Sequence, residues 1–504
     1  MGQSISEATV HISSVKADIV PLKDEKPPAP RPRPPTPSTT TAVEPYCAYS
    51  PTRRYCLLAL VALAGALGPL AGNIYLPAMV PIGQSLNASA SMINISVSIF
   101  MLMFAVAPLG WGSLADRTGR RAVYLISFAV YVAGSIALAF TNSYAYLIVF
   151  RLLQATGAAS VQSLGGGTLV DLFKPTERGQ AMGIFLLGPQ LGPLIGPLIG
   201  GFLARYAGWK AIFWFLAGLG VALWVAIFFF LPETLRARAG NGKAYAERGW
   251  IVVPAPLMKP WDPSRARYNP LAPLKFLRFT SIVLCLSYIA ILFGSFYCFN
   301  VSIPVILQNE YGYNEAQVGL SYIPVGLGFI LGSNVAGRYA DRTVKAALKR
   351  SEGQPVPETR VRCQWVGLVL FPFGVLLFGF AASFRWHVAV LFLTMFISVF
   401  GLTWTFSCNT TYLIDSFPGS AAGVVALNSL FRNPAAAVGS AVIEPFVDEV
   451  GYWKSFLTVS IIAWVAAGLV VTVMINGAKW RLAAKSKAPP ASGSAESAPG
   501  PKRV

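Results

Sequence analysis

The sequence carries little charge. Asp, Glu, Lys and Arg make up 12% of the 504 residues, whereas 54% of the residues are hydrophobic; a soluble protein usually has about 25% charged residues. So few charges cannot cover a water-exposed surface, which excludes a soluble enzyme, and so apolar a chain is not disordered. The two histidines and six cysteines are scattered and form no CxxC pair, which excludes a Cys/His metal cluster. We therefore expect no metal and no cofactor.

Long runs without charge predict twelve membrane spans. A spanning helix needs about 20 apolar residues, and the stretch between Arg54 and Asp116 alone holds two spans and a turn near 81–91. The expected spans are 57–80, 91–114, 121–140, 144–168, 180–204, 209–231, 282–307, 316–337, 363–383, 387–412, 420–443 and 453–475. A hydrophobic hairpin in a soluble core would explain one such run but not twelve. The pattern predicts an all-α membrane protein with 12 transmembrane helices in two six-helix bundles.

Lysine and arginine predict the orientation. Most of the 40 Lys and Arg residues fall in the tails and in the loops after spans 2, 4, 6 and 8. The loops on the other side hold Arg205, Lys210, Arg385 and Lys454. Both termini are therefore predicted to be cytoplasmic, with the basic loops facing anionic lipid headgroups of the bilayer. Because the basic residues are split among loops and form no single patch, nucleic-acid binding is not expected.

Two tails and a linker flank the predicted bundles. Residues 1–55 are rich in Pro and residues 479–504 in Ala, Ser, Pro and Lys, so both have too little apolar surface to fold and are expected to be disordered. A linker at 232–281 separates a first bundle at 56–231 from a second at 282–478. An SH3 ligand or a phosphorylation site is the functional alternative to a solvated first tail.

A short signature occurs once in each half. Gly112-Ser-Leu-Ala-Asp116-Arg117-Thr-Gly119-Arg120-Arg121 follows span 2, and Gly337-Arg338-Tyr-Ala-Asp341-Arg342 follows span 8. A carboxylate at this place can accept hydrogen bonds from helix N-terminal N–H groups and can pair with the arginines that follow it. A duplicated bundle is the construction of alternating-access transporters. The alternative is a solvated, charged turn.

Span 5 carries a ladder of glycine and proline. Its members recur about every fourth position and therefore form one stripe on a helix; they are Gly188, Pro189, Gly192, Pro193, Gly196, Pro197, Gly200 and Gly201. Glycine lets another helix approach closely, and proline bends the helix by removing a backbone hydrogen bond. The ladder predicts a bent, tightly packed seam, with ordinary helix packing as the alternative.

Two arginines fall inside predicted spans. Arg151, followed by Gln154, lies in span 4, and Arg432, followed by Asn433, lies near the middle of span 11. A charge inside the membrane is costly and usually functional, the alternative being a side chain that snorkels to the headgroups. No Asp or Glu lies deep in the spans, so Asp171 and Glu177 remain as weak candidates for a proton route.

Two guanidinium groups without deep carboxylates favour an anion or a neutral polar molecule over a polycation. Other polar side chains on helices expected to line the cavity are Asn73, Tyr75, Asn300, Asn409 and Asn428. Any one of them alone is more often a helix–helix hydrogen bond, so they predict a substrate site only as a set. Asn87-Ala-Ser is the sequon expected to face outside, although its short loop favours an unmodified Asn87.

Together these motifs resemble the major facilitator superfamily, and their order is similar to that of the fungal 12-span drug:proton antiporters. The resemblance covers about residues 55–478 and extends to the subgroup of quinidine-resistance pumps, dityrosine exporters and citrate exporters. It implies the major facilitator fold, a gate role for the Asp-Arg signatures, export from the Gly-Pro ladder, and a link between Arg151 and proton coupling.

The predicted function is export of a small organic acid or secondary metabolite, of the citrate or itaconate type, by alternating access at the plasma membrane. The expected partners are that small molecule, protons and the lipid bilayer, and a monomer is expected. The alternatives are a multidrug or polyamine:proton antiporter, a non-transporting membrane sensor, and a location in the vacuolar membrane. A membrane enzyme is not expected, because no nucleophile, metal set or carboxylate dyad lies at one depth.

Overall fold

The chain folds into α-helices joined by short connections. The computed structural model describes residues 46–174, 177–247, 249–253, 272–350, 358–416 and 421–486. Its helices are α1 (Pro51–Asn73), α2 (Met79–Leu86), α3 (Ala90–Thr118), α4 (Arg120–Ala139), α5 (Tyr144–Ala158), α6 (Ser160–Leu172), α7 (Arg178–Ala207), α8 (Lys210–Phe230), α9 (Arg236–Ala239), α10 (Lys243–Ala246), α11 (Thr280–Asn309), α12 (Glu315–Leu320), α13 (Ile323–Arg350), α14 (Glu358–Arg362), α15 (Trp365–Ser383), α16 (Val388–Ser416), α17 (Ala421–Val450) and α18 (Tyr452–Ser486). Most of the two predicted tails and the middle of the predicted linker lie outside the described residues.

Eleven helical segments of the described chain are long and apolar enough to cross a membrane. They coincide with predicted spans 1–10 and 12, and some combine two helices, such as α5 with α6 and α12 with α13. The remaining predicted span, 420–443, coincides with the 30-residue helix α17, whose hydropathy is lowered by Asn428, Arg432 and Asn433. Exposed apolar side chains such as Leu63 and Val149 give the helices a surface suited to lipid. The predicted all-α membrane fold is confirmed.

Short polar side chains fix several helix starts. Ser50, Ser89 and Ser143 each accept a hydrogen bond from the backbone N–H three residues later and so cap α1, α3 and α5. Asn314 and Gln317 form a reciprocal capping box at the start of α12. These caps place the turns close to the predicted span ends.

The two ends of the bundle differ in charge. The end where α3 meets α4 and where α13 finishes carries Asp116, Asp341 and the basic signatures, and is called the basic end here. The other, called the opposite end, carries the turn at Asn87 and the connection between α11 and α12. Helices α1–α8 are called the first half and α11–α18 the second half.

The halves are joined at the opposite end. Helix α3 packs on α17, and α7 packs on α12 and α13. The Oγ atoms of Ser98 and Ser440 lie 2.8 Å apart across this interface. Gln308 Nε2 donates a hydrogen bond to the carbonyl of Pro77 in the first half (3.0 Å). The chain is therefore closed between the halves at this end.

The same interface opens toward the basic end. Leu194 of α7 lies against Gly326 of α13, so closely that a Cβ on this glycine would overlap the leucine side chain. Gly183 and Gly337 occupy the same helix faces about three turns nearer the basic end. A Cβ on either of them would meet no atom of the described residues within 4 Å. The two helices therefore diverge toward the basic end, and the described residues leave a gap between the halves there.

Candidate functional site

Arg151 is enclosed in the core of the first half. The residue is 0% exposed. Its guanidinium carbon Cζ lies 4.3 Å from the ring centroid of Tyr75 and 4.6 Å from that of Phe100, so the cation stacks on both rings. Nη1 donates hydrogen bonds to the Ala71 carbonyl (3.2 Å) and to Gln154 Oε1 (3.1 Å). Full burial leaves no part of this side chain at a headgroup surface, which argues against snorkelling.

A break in the first span positions the aromatic ring beneath this guanidinium. Regular α-helix stops at Asn73, because Pro77 has no N–H to donate to the Asn73 carbonyl. Asn73 Nδ2 donates to the Pro69 carbonyl (2.8 Å), and the Tyr75 hydroxyl pairs with Ser96 Oγ (2.9 Å). In this conformation the two predicted cavity residues hold the break in place.

The polar cluster around Arg151 has too few acceptors. Gln154 Nε2 donates to Ser135 Oγ (2.9 Å). Arg151 Nε and Nη2 have no hydrogen-bond partner among the described residues, although both are buried. A buried donor without an acceptor costs free energy. An acceptor supplied by an anion or by a rearranged helix would remove that cost.

Arg432 has a more open setting in the second half. It lies on α17, is partly exposed, and its guanidinium rests on the rings of Phe293 of α11 (4.6 Å) and Phe406 of α16 (5.4 Å). Its Nε donates to Asn433 Oδ1 (3.3 Å). Neither Arg432 nor Arg151 pairs with a carboxylate in the part of the chain that the structure describes.

The same three helices carry the predicted asparagines of the second half. Asn300 Nδ2, Asn428 Oδ1 and Asn433 Nδ2 are buried and lack a hydrogen-bond partner within the described residues. Asn409 on α16 is buried as well. Unsatisfied buried amides in a native fold commonly face bound water or a ligand. Helices α11, α16 and α17 thus combine a cation, aromatic rings and unpaired amides.

The first Asp-Arg signature forms ion pairs inside the first half. Arg120 Nε donates to Asp171 Oδ2 at 2.5 Å, and Arg120 Nη2 lies 3.8 Å from Asp116 Oδ1. Arg117, adjacent to Asp116 in sequence, is exposed. Glu177, the other weak proton-route candidate, pairs with Arg54 (2.8 Å). Asp171 and Glu177, the two acids at the inner end of span 4, are therefore both paired with arginines.

Glu233 caps the helix that follows the signature. Its carboxylate accepts hydrogen bonds from the backbone N–H groups of Arg120 (2.9 Å), Arg121 (3.3 Å) and Leu235 (2.9 Å). Gly119 has φ of +101°, and a Cβ there would collide with Glu233 Oε2. The glycine is needed both for the turn and for the approach of the carboxylate. The predicted capping of helix N–H groups thus occurs, but Glu233 provides it and Asp116 does not.

In each half one arginine bridges two aspartates, but the sequence spacing of the three residues differs in the second half. Arg360 Nε donates to Asp415 Oδ2 (2.5 Å), and Arg360 Nη1 donates to Asp341 Oδ1 (3.2 Å). Arg342 is exposed. Arg120 and Arg360 each stand at the start of the third span of their half. The sequence motif located one aspartate of each bridge, Asp116 and Asp341, but missed Arg360, Asp415 and Glu233 as members of these networks.

The Gly-Pro ladder forms a backbone seam between α7 and α1. A Cβ on Gly192 would lie 2.6 Å from Pro69 Cβ, and one on Gly196 would lie 3.0 Å from the Ile74 nitrogen. Gly188 and Gly200 likewise face the carbonyl oxygens of Ala62 and Ile74, and Gly201 faces α12 of the second half. Pro189, Pro193 and Pro197 lie within the same helix.

Asn87 is exposed and ends α2 with φ of +49°. This left-handed conformation is one that Asn adopts more readily than most residues, so a helix cap accounts for Asn87 without a glycan. Glycosylation there stays a prediction.

The comparisons with known proteins agree on a transporter family. Residues 61–440 match the family model described as Major Facilitator Superfamily. Multidrug transporter DTR1 of Candida glabrata is 33% identical over 472 residues, which cover 86% of this chain and 86% of that protein. Citrate exporter 1 of Aspergillus niger is 30% identical over 465 residues, 87% of this chain and 88% of that protein.

A solved structure shares the fold. The xylose transporter XylE from E. coli, in a partially occluded inward-open conformation, matches with a TM-score of 0.63 and 15% identity over 84% of this chain and 97% of that chain. At this identity the likeness concerns the fold alone.

Proposed function

Because the chain belongs to the major facilitator superfamily, and is therefore a membrane transporter and not an enzyme, we propose that it exports a small organic acid. Two cations within the spans, the enclosed Arg151 and the partly exposed Arg432, carry this proposal, because neither is paired with a carboxylate of the described residues. An anionic substrate supplies the missing charge, whereas a polycation would be repelled. The similarity to a citrate exporter supports a di- or tricarboxylate of the citrate or itaconate type.

The two arginines have different roles in this proposal. Arg432 is partly exposed, lies against aromatic rings and has unpaired amides on its own and neighbouring helices, so it binds the substrate carboxylate. Arg151 is fully enclosed and holds the break of the first span through Tyr75 and the Ala71 carbonyl. It therefore acts as a positioning residue, and its unpaired N–H groups take a new acceptor when the first half rearranges.

In this proposal the substrate enters the carrier at the basic end and leaves it at the opposite end. The excess of Lys and Arg supports a cytoplasmic basic end. The proposed location of the transporter is the plasma membrane. The open basic end then loads substrate from the cytoplasm, and closure there with opening of the opposite end releases it outside. Proton coupling belongs to the proposal as well.

Arg432→Gln tests the substrate site. The variant keeps a long polar side chain but loses the charge, so carboxylate export should fall by roughly tenfold to a hundredfold, the equivalent of one charge-assisted hydrogen bond of about 1.5–3 kcal/mol. The measurement is untargeted analysis of carboxylic acids in the spent medium of a deletion strain that expresses each variant. Fluorescent tagging checks that the variant reaches the membrane.

Lys243→Gln is the control, since this exposed lysine of α10 lies in the connection between the halves and pairs only loosely with Glu247, at 3.9 Å. It should leave export unchanged. Full export by Arg432→Gln would remove the residue from the substrate site, and a deletion that alters no acid would contradict the organic-acid assignment.

Multidrug export is the second candidate function. The aromatic rings of Phe293, Phe406 and Tyr297 near Arg432 suit a flat apolar drug, and DTR1 is named a multidrug transporter. Changed tolerance to drugs in the deletion strain, with unchanged acid release, would favour this function.

A further inference from the structure

A cavity of about 340 Å³ lies at the opposite end, between the two halves. The first half contributes Gly83 and Asn87 near the end of α2 and Ile93 of α3, and the second half contributes Asn309 of α11 and Glu444 of α17. Glu444 is the acidic side chain in this lining. The cavity belongs to the region that must separate when the opposite end opens.

Glu444 is held at the closed interface. It lies one helical turn from Ser440, the residue that meets Ser98 across the halves, and therefore on the same face of α17. Its residue is 6% exposed. No hydrogen bond or ion pair joins its carboxyl group to any residue that the structure describes.

The groups around this carboxyl do not compensate a negative charge. Asp448, one turn further along α17, brings a second negative charge close to Glu444. Tyr452 of α18 faces Glu444, Glu310 and Asp448. Glu310 forms its own ion pair, with 2.7 Å between its Oε2 and Arg385 Nη2. The first-half residues in the lining are uncharged. Burying an unpaired carboxylate is costly, while a protonated carboxyl group is neutral and can also donate a hydrogen bond.

We propose that Glu444 is a proton-binding site that controls closure of the opposite end. When this end is open, water reaches the carboxylate, which is ionised. A hydronium ion transfers its proton to the carboxylate and leaves as water, and the halves then close over the neutral carboxyl group. Reopening returns the proton to water. The inference rests on the proposed export cycle for its physiological direction, since the opposite end faces outside in that proposal.

This linkage fixes the sign of the pH effect. Closure takes up a proton, so the closed fraction rises as the pH falls, by up to tenfold in the closed-to-open ratio per pH unit. During export, acid outside the cell would speed the return of the empty carrier to its loading conformation.

Spin-label distances between Ser85→Cys and Ala389→Cys test the proposal without substrate. Both positions are exposed and lie at the opposite end, one in each half. The native cysteines are first replaced by serine or alanine, and the purified full chain is placed in liposomes at pH 5 and at pH 8. The expected result is one short distance at pH 5 and an added longer distance at pH 8.

Glu444→Gln, which imitates the protonated group, should give the short distance at both pH values. Glu449→Gln is the control, because this nearby acid is exposed and outside the cavity lining, and it should keep the response of the parent chain. A pH response that survives in Glu444→Gln, or no response in the parent, would overturn the proton site. Neither result decides whether the protein exports an organic acid, because the distance measurement uses no substrate and does not depend on which way the protein faces in the membrane.

Discussion

At the scale of single residues, the arginine that follows each signature aspartate in the sequence is not the arginine that pairs with it in the structure. The sequence pairs Asp116 with Arg117 and Asp341 with Arg342, but these arginines are exposed. The bridging arginines come from the next span of each half. The motif predicted where the carboxylates lie, because it sits at a helix end. It included Arg120 among the possible partners of Asp116, and the two side chains do lie together. It could not predict Arg360, because Arg360 reaches Asp341 only after the third span of the second half has packed.

Glu233 should control the rate of the conformational change. In Glu233→Gln one neutral oxygen replaces two charged ones, while three N–H groups still need acceptors. The turn at Gly119 should loosen, and the maximal export rate should fall about tenfold, equivalent to about 1.4 kcal/mol in the barrier. The substrate concentration for half-maximal export should stay the same, because this turn lies at the basic end and outside the proposed substrate site at Arg432. Both values come from export measured against intracellular acid concentration.

Glu247→Gln provides the comparison for this change. Glu247 is an exposed acid in the same connection and pairs only loosely with Lys243, at 3.9 Å. It should keep the parental rate. A Glu233→Gln variant with weakened half-saturation and normal maximal rate would place Glu233 in substrate binding and not in the gate.

At the scale of elements, the charge-free runs predicted the spans well because lipid tolerates few other patterns. Sequence reasoning missed the break between Asn73 and Met79 and placed a plain turn near 81–91, where α2 continues to Leu86. A Pro inside an apolar run does not by itself distinguish a kink from a break. The outcome depends on contacts that only the folded bundle supplies, such as Tyr75 with Ser96 and Arg151 with the Ala71 carbonyl.

The seam between α7 and α1 should not tolerate a methyl group. Gly192→Ala would place a Cβ 2.6 Å from Pro69 Cβ and 2.7 Å from the Leu70 nitrogen, so two helix backbones must move apart. Overpacking of this kind costs about 1–3 kcal/mol. We expect lower thermal stability of the detergent-solubilised protein and less protein at the membrane, measured by fluorescence-detected size-exclusion chromatography after heating.

Gly183→Ala is the control on the same helix. Its Cβ meets nothing within 4 Å in this conformation, so stability should be unchanged. Its export rate is a separate observation, because Gly183 faces the region that must close at the basic end. Equal stability of both variants would show that the α7 glycines are not required for close packing.

At the scale of the whole molecule, the two halves meet at one end, and their helices α7 and α13 diverge toward the other. The sequence predicted the two bundles through the repeated signature. It could not predict which end is closed, because both conformations of an alternating-access carrier use the same sequence. That information comes from pairs across the interface, such as Ser98 with Ser440 and Leu194 with Gly326.

A reversible crosslink across the closed end should therefore stop the cycle. In a background without native cysteines, Ser98→Cys combined with Ser440→Cys replaces two Oγ atoms that are 2.8 Å apart, close enough for a disulfide once the sulfur atoms adjust. Oxidation should hold the halves in the conformation open at the basic end and abolish export, and a reductant should restore it. Each single variant under the same oxidation should export normally, which separates the crosslink from damage by the oxidant. Undiminished export by a fully crosslinked protein would mean that the halves do not separate at this interface, and substrate would then have to leave by a path that does not pass between α3 and α17.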